Sequence, residues 1–191
     1  MKYMLIFALS LLLLPPGRAQ SKYSTRAGLI TFFSSAPLED IEARNTQVAA
    51  VLDLSTGQMA FTVPMKAFQF RRSLMQEHFN ENYVESDKYP QATFTGRVLN
   101  FQPGLGQPAG PQAVQVEGDL TIHGVKRRIT TTGTLEVKNN QLLVQSKFVV
   151  APADYNIRIP ALVRENIAKS VAVTVALTCG PVGPLQAVKS K

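Results

Sequence analysis

The chain has one cysteine, no tryptophan and two histidines among its 191 residues. Each scarcity removes a class of chemistry. A lone cysteine, Cys179, cannot close an internal disulfide, so the fold must be held by its core rather than by covalent staples. The alternation around it, Val171-x-Val173-x-Val175-x-Leu177-x-Cys179, reads as the apolar side of a strand with a buried thiol. His78 and His123 lie far apart, whereas a zinc site wants about four ligands at fixed distances, and no His-Glu-x-x-His run supplies them. No Gly-x-Ser-x-Gly elbow is present. The acid pairs Glu39-Asp40 and Glu85-x-Asp87 sit in polar segments and read as solvated charges rather than a glycosidase pair. In Gly104-Leu105-Gly106-Gln107-Pro108-Ala109-Gly110 the third glycine falls one place late for a nucleotide loop and Pro108 interrupts the spacing, which leaves a connector. No catalytic residues, no metal and no enzymatic activity are expected.

Long apolar runs are scarce as well. The only marked one, residues 4–14, follows Lys2 and stops at Pro15-Pro16-Gly17, with Gly17-Arg18-Ala19 behind it. A basic start, a short apolar stretch and a small-x-small site make residues 1–19 a secretory signal peptide, cut between Ala19 and Gln20. The run is well short of the roughly 18 residues that read as a membrane-spanning helix, and no transmembrane segment is expected later. Loss of Lys2 and Arg18 lowers the formal charge from +7 to +5. The remaining basic residues are scattered, without the clustered face and aromatic platforms that nucleic-acid binding needs, so no nucleic-acid partner is expected.

What the chain does have is period-two alternation. Candidate strands cover 22–33, 45–54, 57–64, 91–101, 112–122, 125–138, 141–151 and 169–179. Turn chemistry separates them: Ser55-Thr56-Gly57, His123-Gly124 and Asn139-Asn140. Residues 102–111, with three glycines and three prolines, form a loop, and 180–191 read as a flexible tail. Eight antiparallel strands with one apolar face avoid open edges by closing into a barrel or stacking as a sandwich, and the spacing favours the barrel. Two short amphipathic helices are expected, over 71–83 with Leu74, Met75, His78, Phe79 and Tyr83 on one stripe, and over 160–169 with Leu162, Val163 and Ile167. A third helical piece near Pro37 would bury Leu38 and Ile41. The inward positions mix Phe and Val with Ala50, Ala92, Gly96, Gly118 and Gly133. Missing volume on an apolar face means either a tighter twist or a cavity, and this pattern alone leaves both open.

Four blocks resemble one family. Met75-Gln76-Glu77-His78-Phe79, Asp87-Lys88-Tyr89-Pro90-x-x-x-Phe94, Gly118-Asp119-Leu120-Thr121-Ile122-His123-Gly124-Val125 and Tyr155-Asn156-Ile157-x-Ile159-Pro160 are similar, in order, to the YceI family. The resemblance implies an all-β, eight-stranded antiparallel lipocalin-like barrel over 20–179 with two or three short flanking helices, exported to the periplasm. It implies an apolar ligand inside: a polyisoprenoid, an isoprenoid quinone or a fatty-acid derivative. On that basis Phe32, Leu52, Phe61, Val63, Met75, Phe79, Phe94, Val116, Phe148, Leu162 and Val173 are expected to wall the tunnel, with Arg71, His78 and Tyr83 near a polar head group. The resemblance brings no catalytic residues and no cofactor other than such a ligand. The alternative is a periplasmic interaction or stress-response module with a filled core. A homodimer is compatible with either.

Overall fold

Alternating apolar and polar residues can bury one side only as strands whose successive side chains face opposite ways. The structure, a computed structural model, describes residues 21–102, 110–163 and 166–183. Its strands are β1 (Lys22–Ser35), β2 (Asp40–Asp53), β3 (Gln58–Pro64), β4 (Gln69–Phe70), β5 (Gln91–Val98), β6 (Gln112–Ile122), β7 (Val125–Lys138), β8 (Gln141–Val150) and β9 (Val171–Pro181). Neighbours run β1-β9-β8-β7-β6-β5-β3-β2, and β2 pairs β1 to close the ring. Every pairing is antiparallel. The result is the expected eight-stranded barrel. β4 stands apart from it, adding only Ala43↔Phe70 and Arg44↔Gln69 to the start of β2.

The hairpins follow their turn residues. His123 and Gly124 have φ of 50° and 73°, and Asn139 and Asn140 have 50° and 61°. Two-residue loops with both φ positive match the right-handed twist of the strands they join. At one end the ring is plugged: Leu52, Leu135, Leu142 and Cys179 are at most 1% exposed. Leu142 faces Cys179 and Leu135 faces Val144 in register, so this base is packed side chain against side chain. Each such fully buried residue contributes roughly 1.5–3 kcal/mol by leaving water. The opposite end, where β1, β3, β6 and β8 finish, is the mouth.

Four local expectations are corrected. The segment 71–83 forms a helix only as α1 (Ser73–His78), continued by a π-helical turn over Phe79–Tyr83. So short a helix turns one narrow stripe inward, and Met75, Phe79 and Tyr83, spaced four residues apart and each half-buried, take it. Leu74 is left 60% exposed and His78 is exposed as well. Among the described residues of 160–169, Ala161–Val163 makes a single 3-10 turn. Beyond it the chain bonds sideways, Ala168 N–H donating to Ser34 Oγ at 3.0 Å, instead of continuing a helix. No helix forms near Pro37, because the ladder Ser34↔Ile41 and Ser35↔Asp40 draws those residues into a hairpin. Leu38 is 66% exposed, while Ile41 reaches the interior by strand alternation. Finally, β9 does not stop at Cys179: Pro181 pairs with Tyr23, and Val182 N–H donates to Lys22 O at 2.8 Å. The expected signal peptide and most of loop 102–111 lie outside the described residues.

Candidate functional site: an apolar two-chambered barrel interior

Above the packed base the inward side chains do not fill the ring. A chamber of about 210 Å³ lies beneath the mouth. A second, of about 100 Å³, lies deeper between β3, β5, β6, β7 and β8. Both have walls that are almost wholly carbon. Ile30, Val63, Ala92, Leu120 and Phe148 line both, so the chambers meet at a waist formed by these five residues. Cavities with apolar walls attract apolar groups rather than water.

The mouth is roofed by aromatic rings. Phe79, carried by the turn after α1, lies with ring centroids 5.0 Å from Phe70, 5.6 Å from Phe68 and 5.6 Å from Phe32. Arg72 Nη1 donates to Glu39 Oε1 at 2.6 Å, tying the start of α1 to the β1–β2 loop. Ile157, Ile159 and Ile167 complete the roof from the segment between β8 and β9.

Phe32, Val63, Met75, Phe79, Phe148 and Val173 line the larger chamber. Phe61, Val63, Phe94, Val116 and Phe148 line the smaller one. Leu52 does neither, because it belongs to the packed base. The side chain of Leu162 lies outside the described residues. Of the three polar candidates only Tyr83 reaches the cavity wall, and burial raises its hydroxyl pKa above the ordinary value. Arg71 and His78 are exposed and line neither chamber. Sequence reasoning missed Met65, Phe68 and Phe70, all on the wall of the larger chamber. The apolar residues of Pro64-Met65-Lys66-Ala67-Phe68-Gln69-Phe70 were the available signal.

The inward glycines do not all make space. Gly96 and Gly118 face each other across β5 and β6, and a Cβ at Gly118 would come within 2.5 Å of the Phe94 ring. Phe94 lies over both glycines and occupies the volume they vacate. Ala92 and Gly133, by contrast, do border open volume.

Three of the four sequence blocks also meet on the rim, through Tyr89, His123-Gly124 and Tyr155. His123 Nδ1 lies 3.1 Å from the Tyr155 carbonyl and Nε2 lies 2.6 Å from Glu85 Oε2. The Tyr89 ring packs edge-on against the imidazole at 4.5 Å, and a Cβ on Gly124 would strike that ring at 2.6 Å. His123 is thus a bolt joining the β6–β7 turn, the 85–90 turn and the 152–155 turn. Among the described residues no group of three or more His, Cys, Asp or Glu is placed to hold a metal ion. Nor, among them, is any helix long and apolar enough to cross a membrane.

Known structures share this architecture. A polyisoprenoid binding domain from Saccharophagus degradans superposes with a TM-score of 0.71 at 16% identity, covering 86% of this chain and 100% of that one. Burkholderia cenocepacia BcnA gives 0.66 at 18%, covering 79% and 95%. The Campylobacter jejuni YCEI protein gives 0.58 at 12%, covering 74% and 85%. No curated protein sequence matches the chain significantly. The profile of the YceI-like domain matches residues 23–179, which is the whole barrel from β1 to Cys179 of β9 and contains all four blocks named above, so the chain belongs to the YceI-like domain family.

Proposed function

We propose that the protein is an exported carrier that sequesters one long apolar molecule, a polyisoprenoid, an isoprenoid quinone or a fatty-acid derivative, in the two-chambered interior. The observation that carries this reading is the pair of abutting carbon-walled chambers under an aromatic roof. Burying a chain there recovers roughly 0.8 kcal/mol per CH₂, so affinity needs length more than polar contacts. Met65 and Met75 suit such a wall because a flexible thioether adapts to many conformers of one chain. The polyisoprenoid-binding description of the Saccharophagus domain supports the ligand class. Export to the periplasm rests on the pattern of residues 1–19 and on the family resemblance. Catalysis is no part of this reading. A filled-core interaction module fits less well, since a filled core leaves no 210 Å³ chamber.

Solvent extraction of the purified mature protein followed by mass spectrometry tests the proposal. We expect a stoichiometric lipid or quinone. A clean extract, together with no uptake of added prenols or fatty acids, would overturn it.

A further inference from the structure

The barrel is closed in strand order but not along every seam. The β7–β8 ladder runs only from Lys138↔Gln141 to Gly133↔Ser146. Beyond that fork, residues 125–132 of β7 pair with β6 alone, and residues 147–150 of β8 pair with β9 alone. Gly133 lets the strands close up at the fork, since a Cβ there would lie 2.5 Å from the Gln145 carbonyl. Ser146 Oγ donates to Thr132 O at 2.7 Å, occupying a carbonyl that the parting ladder no longer serves. At the rim the seam is bridged again, where Arg127 Nε donates to the Asp154 carbonyl at 2.9 Å beside the His123–Tyr155 contact. At the fork Thr131 Oγ1 lies 3.5 Å from Ser146 Oγ, so the stretch left without a ladder is framed by that contact and by the rim, with Ile129 on one bank and Phe148 on the other. These four residues all line the smaller chamber. The floor of that chamber is the packed base of Leu135, Leu142 and Cys179, which offers no way out.

We propose that this stretch is a side portal through which the far end of a long apolar chain leaves the smaller chamber. The inference rests on the ligand class proposed above and adds its consequence for length. Affinity should climb with each buried carbon and then level off, because surplus chain emerges through the wall instead of folding back against the base.

The test uses fatty acids of graded length carrying a nitroxide at the methyl end, and a fluorophore on Thr130→Cys, on the outer bank of β7, or on Leu38→Cys, beside the mouth. The buried Cys179 stays unlabelled in both. Long probes should extinguish the fluorescence at position 130 and spare position 38, while short probes spare both. Loss at position 38 alone, with binding intact, overturns the portal and leaves the carrier reading standing. Failure of every probe to be retained in equilibrium dialysis overturns the carrier reading itself.

Discussion

Two side chains at the base report on how tightly that end is sealed. Cys179 is fully buried, and burial pushes its thiol up to about 11. Only the thiolate is an effective nucleophile. Ellman's reagent should therefore leave the native protein unmodified near neutral pH and titrate one thiol after denaturation; fast labelling of the native state would mean that the base opens. Asp53 ends β2 at the same end of the barrel. Burial alone would raise its carboxyl, but hydrogen bonds from the Ser55 side chain and backbone and the attraction of Lys22 outweigh this and hold it below the ordinary 3.8. With a lowered folded value, the stabilisation is complete above 3.8 and drains away as pH falls through the folded pKa. Asp53→Asn should cost stability at neutral pH, with the gap from the parent protein narrowing in acid; a pH-independent gap in urea titrations would contradict this.

Among the elements, the β6–β7 turn both joins its strands and anchors the rim. His123→Ala would leave the Tyr155 carbonyl and the Glu85 carboxylate without a shared partner, and Gly124→Ala would force a Cβ into the Tyr89 ring at a φ of 73°. Each should lower the unfolding free energy by about 1–3 kcal/mol, measured by urea denaturation, while ligand content stays unchanged. Loss of ligand without loss of stability would instead place His123 in the binding function. The turn was legible in the sequence, because positive φ at both positions selects residues such as His123-Gly124 and Asn139-Asn140. The bolt was not, since its partners lie more than thirty residues away at Glu85 and Tyr155. Helix 160–169 was misread for a related reason: a good proline start and an apolar stripe were overruled by the bond from Ala168 to Ser34, a tertiary contact no local pattern encodes.

At the scale of the molecule, the waist decides whether two chambers act as one. Phe148 lines both. Phe148→Trp should narrow the passage and confine ligands to the larger chamber, so that affinity stops rising with chain length sooner than in the parent protein; an unchanged length dependence would show the chambers to be independent. Strand alternation made most of this wall readable, from Phe32 to Val173, because inward position follows directly from period two. It could not tell Leu52, inward but sunk in the base, from Val63, inward and beside open space, because that distinction depends on depth along the barrel axis. The closing seam carries one more consequence. β1, made first on the ribosome, finds its second neighbour only in β9, made last. A nascent chain therefore holds an open edge until its final strand emerges, and a product truncated before residue 171 would present two unsatisfied edges, on β1 and β8, as templates for aggregation.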